Sequence, residues 1–265
     1  MAGYALELTE GEVERYRFMA AQARATEAEA WRAAGIVPGA RVADVGCGPG
    51  ATLLEMADVV GPTGSVTGVD ADPAAVATAN ELIARQGLAT ASAVVGQAED
   101  TGLAPASVDV AVVRHVLAHN GGREQAIVTH LAELVRPGGC VYLVDVELTA
   151  GRLRGAPPDA ADLMARYAEF HAHRGNDPRI GLRLAELLAA AGLEVLEHRG
   201  TYTVLAAPVG MRPPAWHARH AMVAEGFATT ADVARWQAAL EEADRQADRP
   251  VMFLPLFTAI GRRSS

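Results

Sequence analysis

The chain of 265 residues contains no lysine: all 23 of its basic residues are arginine. Against them stand 32 acidic residues, for a formal net charge of −9. Binding to nucleic acid usually calls for a basic face, so no nucleic-acid partner is expected. Cysteine occurs only twice, at Cys47 and Cys140, with no metal-ligand spacing, and both read as free thiols. No apolar run reaches membrane-spanning length. The first residues lack the charged-then-apolar pattern of an export signal. A soluble, cytoplasmic protein with no membrane partner is therefore the expectation. Half of the residues are hydrophobic, enough for one medium domain with a sizeable core and an elaboration. The absence of lysine beside abundant alanine suggests GC-rich, bacterial coding.

What is present is a glycine-rich turn. Val42-Ala43-Asp44-Val45 is an apolar run marked by an acid, and Gly46-Cys47-Gly48-Pro49-Gly50 follows it. Glycines allow a sharp turn and close backbone approach to a ligand. The helix that follows presents its free N–H groups there. A second apolar run, Val66-Thr67-Gly68-Val69, ends in Asp70, an acid placed to accept hydrogen bonds from a ribose diol. A nucleoside cofactor is the first hypothesis. The pattern G-x-G-x-G differs from the G-x-G-x-x-G of dinucleotide folds. A tight turn without a ligand is the competing reading, and Asp70 could be a helix cap, although Asp72-Pro73 already suits that position.

The remaining elements alternate. Leu8 to Ala34 reads as helical, with a cap offered by Thr9-Glu10-Gly11-Glu12. Strands are expected at Arg41–Val45, Ser65–Val69, Ala91–Val95, Val108–Val113 and Cys140–Val144, with helices between them. Strand–helix alternation argues for a parallel α/β sheet. After residue 150 the pattern breaks. Helices are expected at 159–173, 180–191 and 208–249, and strands at 194–205 and 253–262. The chain is thus divided into an N-terminal helical cap, 1–36, and a main domain, 37–265. The segments 151–178 and 208–249 are read as helical lid insertions.

Several motifs together carry a resemblance. Asp44-Val45-Gly46-Cys47-Gly48-Pro49-Gly50 resembles motif I of the class I S-adenosylmethionine (SAM) dependent methyltransferases. Gly68-Val69-Asp70 resembles their post-I acid, Gly96-Gln97-Ala98-Glu99-Asp100 their adenine-side motif, and Leu134-Val135-Arg136-Pro137-Gly138-Gly139 the turn before their fifth strand. The motifs occur in order between about residues 37 and 145, and the small-molecule branch with the ubiquinone and menaquinone enzymes is the most similar. The resemblance implies a Rossmann-like fold, a mostly parallel seven-stranded sheet with helical lids, and SAM as cofactor with S-adenosylhomocysteine as product. It implies that Asp44 organises the amino-acid end of the cofactor beside Gly46, Cys47 and Gly48. It places the ribose at Asp70 and Ala71, and the adenine at Gln97, Ala98 and Glu99. Many relatives carry aspartate where Gln97 stands. Arg114 and Tyr16 are further cofactor candidates, and Arg17 is considered with Tyr16 for the cofactor carboxylate.

Arg114-His115-Val116-Leu117-Ala118-His119 follows the fourth strand, where ligands of open α/β sheets sit. His119 first, and His115 second, are candidates for a general base with a pKa close to working pH. Packing or a hydrogen bond to the lid is the alternative for each. The H-x-x-x-H spacing would suit a metal pair, but no glutamate follows His115 and no third ligand is evident, so no metal is expected. Asp145 is either another base or a buried, hydrogen-bonded acid at a strand end. On one helix face Tyr167, Phe170, His171 and Arg174 share i, i+3, i+4, i+7 spacing. Tyr167, His171, Arg174 and Trp216 are read as substrate contacts. Methyl transfer to a small molecule, as in secondary metabolism, is the expected reaction, acting alone or as a homodimer. The rival readings are another reaction, such as cyclisation, in a SAM-binding fold, and a noncatalytic SAM-binding protein. No N-P-P-[YF] motif follows the fourth strand, which speaks further against a DNA substrate.

Overall fold

Nearly continuous apolar runs become strands buried on both faces, which is what a parallel sheet between helical layers requires. The structure, a computed structural model, describes residues 10–206 and 208–265. The expected cap at Thr9 lies outside the described residues. β1 (Arg41–Val45), β2 (Ser65–Asp70), β3 (Ala91–Val95), β4 (Val108–Arg114) and β5 (Val135–Val146) form the parallel part. β6 (Arg152–Arg154), β7 (Glu194–Ala206) and β8 (Val251–Arg262) complete the sheet, and all three pair antiparallel through β8. The order is β3-β2-β1-β4-β5-β8-β6, with β7 on the other edge of β8. The chain steps outward from β1 to β3 and then returns to the other side of β1 with β4. That reversal leaves a crevice at the carboxyl ends of β1 and β4.

Among the described residues eight strands are present where seven were expected. The extra one, β6, lies in the segment read as helical lid. β7 pairs with β8 from Val251 to Arg262 on one edge. β5 takes Leu256 to Arg262 and β6 takes Val251 to Phe253 on the other. β6 therefore continues the lane of β5, and the sheet remains seven lanes wide. β5 itself starts earlier than expected, because Val135 already pairs with Val108; pairing then shifts register and resumes at Cys140 with Val110.

The helices are α1 (Glu10–Thr26), α2 (Ala28–Ala34), α3 (Ala51–Val60), α4 (Pro73–Gln86), α5 (Glu124–Leu134), α6 (Pro158–His173), α7 (Leu184–Ala190), α8 (Pro214–His217), α9 (Arg219–Ala224) and α10 (Thr230–Arg245). Asp72 caps α4 by accepting the Ala74 N–H at 2.9 Å, with Pro73 at the first helical position. The expected N-terminal helix is interrupted at Glu27, which turns inward and is buried. The expected helix from Pro208 begins only at Pro214, because Pro214 forces Pro213 into an extended conformation, with ψ 159°.

α6 and α8–α10 enclose a second core over the sheet. Leu163, Tyr167 and Phe170 meet Ala215, Met222 and Trp236 there. Trp236 is fully buried, and its Nε1–H donates to Asp162 Oδ2 at 2.8 Å. Trp236→Ala removes that packing and the hydrogen bond together. It is expected to lower stability by about 3–5 kcal/mol, read as a reduced midpoint in urea unfolding; a loss under ~1 kcal/mol would show that this core does not hold α6 and α8–α10 together.

Candidate active site

The turn after β1 depends on backbone that side chains rarely adopt. Gly46 has φ 79° and Gly48 φ 52°. A Cβ on Gly46 would stand 2.2 Å from Val116 Cγ2, so only glycine fits between β1 and the segment after β4. The N–H groups of Gly46 and Cys47 both donate to Val69 O, at 2.7 and 3.1 Å. Asp70 Oδ2 accepts the Gly48 N–H at 2.8 Å, and its Oδ1 accepts the Asp72 N–H at 2.9 Å. Each carboxylate oxygen has two lone pairs, so capacity remains for a ligand diol.

A cavity of about 1260 Å³ opens over this turn and extends beneath α6 and the segment before α8. Single small-molecule pockets hold about 300–1,000 Å³, so there is room for a cofactor and an acceptor together. Asp44, Gly46, Cys47, Gly48, Asp70 and Ala71 line one end. Gln97, Ala98 and Glu99 lie along it, and Glu99 Oε1 pairs with Arg123 at 2.7 Å. Tyr16 also lines the cavity: a Cβ on Gly48 would come within 3.7 Å of its ring. Arg17, considered with it, is exposed and does not line the cavity. Arg15 does, with its guanidinium 4.8 Å from the Tyr16 ring centre. The register of α1 thus turns Arg15, not Arg17, inward.

Asp44 is 2% exposed, and its Oδ2 has no hydrogen-bond partner. Burial pushes its carboxyl up to about 7, with Asp70 adding to the rise and Arg114 opposing it. An orphaned buried carboxylate at the end of a cavity fits a cationic ligand group such as an ammonium. Arg114 lines the cavity and is held by Glu27 Oε1 at 3.0 Å, while Tyr142 donates its hydroxyl to Glu27 Oε2 at 3.0 Å. Glu27 was missed by sequence reasoning. Its only signal was an acid in the middle of an apolar helical stripe, and its role depends on β4 and β5 arriving beside it.

The histidines gather where expected, with changed acidity. His115, His119 and His171 all line the cavity, and the His119 and His171 ring centres are 4.8 Å apart. His115 adopts φ 58°, a left-handed conformation uncommon outside glycine. Its Nδ1 is 3.9 Å from Asp145 Oδ1. Burial first, then Arg114, lowers its pKa against the pull of Asp145. Burial also lowers His119 to about 4 and His171 to about 3. The expectation of a histidine titrating near neutrality is therefore corrected: desolvation keeps these imidazoles neutral at pH 7. Asp145 is fully buried and accepts the Ala118 N–H at 3.1 Å and the Val146 N–H at 2.9 Å. The reading as a hydrogen-bonded acid at a strand end describes this geometry.

Asn176 Oδ1 accepts the Gly121 N–H at 3.1 Å, which turns its amide nitrogen toward His171 Nδ1 at 2.9 Å. His171 Nδ1 is thereby the acceptor, and the ring proton sits on Nε2. That nitrogen makes no hydrogen bond. Tyr167, His171 and Arg174 line the cavity, but Phe170, placed on the same face by spacing, turns into the second core against Phe227. Trp216 is likewise corrected. It does not line the cavity; it packs on the second core with the Arg219 guanidinium 4.4 Å from its ring centre. Met211, Arg212, Pro213 and Pro214 line the cavity in its place.

Comparison with known proteins agrees with this geometry. Residues 42–139 match the family model described as a methyltransferase domain. Over 107 residues the chain is 40% identical to nocamycin O-methyltransferase of Saccharothrix syringae, covering 40% of this chain and 38% of that protein. Over 135 residues it is 30% identical to an aklanonic acid methyltransferase of Streptomyces sp. (strain C5), covering 51% of this chain and 61% of that protein. The chain thus spans from about two-fifths to three-fifths of these curated relatives. A SAM-dependent methyltransferase from Aquifex aeolicus has the same fold, with TM-score 0.53 and 19% identity over 70% of this chain and 90% of that one.

The acidity of Asp44 yields a test. A carboxyl that rises from 3.8 to about 7 on folding binds its proton more tightly in the folded state. Its favourable contribution is complete below about pH 4 and is lost as pH rises through about 7, a change of roughly 4 kcal/mol. Asp44→Asn cannot ionise. Without ligand it is expected to melt near the wild type at pH 4 and clearly above it at pH 8, by thermal unfolding. A difference in melting temperature that does not grow with pH would contradict the buried, unpaired carboxyl.

Proposed function

We propose that this chain is a class I SAM-dependent methyltransferase; the methyltransferase-domain match over residues 42–139 and a fold shared with a SAM-dependent methyltransferase support that reading. Its reaction is methyl transfer from SAM to a small-molecule acceptor, in the manner of secondary metabolism. The observation that carries this reading is the single cavity of about 1260 Å³, which joins the glycine turn and Asp70 to the histidine cluster and the lid. The methyltransferase names of the two curated relatives support it.

The residues present fit the cofactor. Asp70 would take the ribose diol, the turn from Gly46 to Gly48 admits its amino-acid end without a Cβ in the way, and Asp44 offers an orphaned carboxylate to its ammonium. Gln97, Ala98 and Glu99 border the place of the adenine, and Tyr16 and Arg114 close the site from the cap and from β4. When bound, SAM supplies a methyl group activated on a sulfonium. The protein needs to hold the acceptor in line and close, near 3 Å from the reacting carbon. His119, neutral at pH 7, accepts the proton of an acceptor that arrives protonated, with His115 behind it beside Asp145. We assign the lid role to the cap before residue 37 and to the segments 151–178 and 208–249, which cover the cavity and keep out water.

The direct experiment incubates the protein with SAM and candidate acceptors and reads product mass. Gain of one methyl supports the proposal; an isomer of the acceptor would place the chain with fold relatives of other chemistry. Asp70→Ala is expected to weaken S-adenosylhomocysteine about tenfold or more by calorimetry with the fold retained. Unchanged affinity would remove Asp70 from the site.

His119→Ala is expected to lose about 10²–10⁴ in turnover while keeping cofactor affinity. Because burial lowers His119 to about 4, wild-type turnover at saturating SAM should stay level from pH 6 to 8 and fall only toward pH 4. A variant that turns over normally would mean that alignment alone drives the transfer.

A further inference from the structure

The acceptor end of the cavity is built from two flat apolar faces. On the sheet side, β7 and β8 run past the end of β5, and β6 fills the lane that β5 leaves. Register places Leu153, Met252 and Leu205 side by side across β6, β8 and β7. The next inward-facing rung pairs Leu254 with Thr203. All five line the cavity, while their neighbours on the other face of β7, Tyr202 and Val204, are 57% and 54% exposed. The period of two thus gives one lined face and one solvated face. On the helical side, Ala160, Met164, Tyr167 and His171 line the cavity from one stripe of α6, at spacings of four, three and four. The adjoining flank of α6 packs into the second core through Leu163 and Phe170, and Tyr167 reaches both.

Resting on the function proposed above, we propose that the acceptor is a flat, largely apolar ring system that lies against this three-strand face under the α6 stripe. Three strands spaced about 4.8 Å apart span roughly 10 Å, and two rungs on one face span roughly 7 Å along the strands. That area matches two or three fused rings. A pleated face of Leu, Met and Thr offers a plane without charge, and methionines at Met164 and Met252 can adjust to ring edges. Polar groups on the α6 stripe are confined to its end at Tyr167 and His171. His171 is 4% exposed, and its Nε2–H has no partner. The molecule therefore enters with its apolar body toward the β6 end and its oxygen-bearing edge toward the histidines. Such an acceptor presents an oxygen lone pair to His171, which an amine with a single lone pair cannot do without giving up its nucleophile.

The probe is anilinonaphthalenesulfonate, a planar dye whose emission rises in apolar surroundings, titrated into the full chain. Wild-type protein is expected to bind one equivalent. Leu254→Asp places a charge in the sheet face, and Ala160→Phe fills the slot from α6; each is expected to weaken the dye by about tenfold or more. Val204→Asp, on the outer face of the neighbouring strand β7, should leave it unchanged. Calorimetry with S-adenosylhomocysteine is run on all variants, and unchanged affinity certifies the fold and the cofactor end. Dye binding that survives both slot substitutions, or that Val204→Asp weakens equally, overturns the slot. The wild type is also incubated with SAM and 2-naphthol as a two-ring acceptor; absence of both cofactor binding and methylated naphthol would count against the function itself, whereas the dye titration tests the slot.

Discussion

Asp70 holds the site together by clamping the turn after β1. Its carboxylate takes the Gly48 N–H and the Asp72 N–H, and Val69 O takes the N–H groups of Gly46 and Cys47. Four backbone donors are therefore satisfied by the last two residues of β2. Without that clamp, a loop of positive-φ residues would have no reason to keep one shape. Because β1 and β2 pair residue by residue from Arg41 with Ser65 to Val45 with Val69, the sheet delivers Asp70 to the turn with little freedom. The floor of the cavity, the aim of Asp44 and the approach of Val116 all follow from that delivery.

A second constraint joins the cap to the sheet. Glu27 is 4% exposed and is paired with Arg114 at the end of β4 and with the Tyr142 hydroxyl on β5. A buried ion pair is weak evidence for net stability, since its desolvation offsets much of the attraction. What it supplies is register. Removing either partner strands the other in a dry environment, so α1 and α2 have one favourable seat. That seat brings Tyr16 and Arg15 over the glycine turn. The same dryness explains the histidines: an enclosed cavity depresses His119 and His171 and raises Asp44. One property of the site thus yields neutral imidazoles and a raised carboxyl at Asp44.

Local pattern accounted for the elements that nucleate their own structure. β1, β2 and β4 are short apolar runs with turn residues at their ends, and α4 carries its cap and its terminating Gly87 in sequence. The same reading failed where neighbours decide. β6 is three residues with no pattern of its own, and only the free edge of β8 makes it a strand. Trp216 was read as a substrate contact and Phe170 was placed by helical spacing on the face of Tyr167 and His171, whereas the second core took their area. Arg17 was considered and Arg15 was not, because the rotation of α1 about its axis is set by packing against α3 and by Glu27, neither of which is legible from residue type.

The sequence by itself determined the parallel half of the sheet, the turn from Gly46 to Gly50 and the acids Asp44 and Asp70. These depend on residues within one βαβ unit, where glycine conformations and short-range hydrogen bonds leave few alternatives. Only the tertiary structure decided that Glu27 lies beneath Arg114, that the histidines are too dry to titrate near neutrality, and that β6, β7 and β8 present one apolar face toward α6. Those outcomes rest on desolvation and on contacts between elements separated by tens of residues, and neither quantity exists until the chain has closed around the cavity.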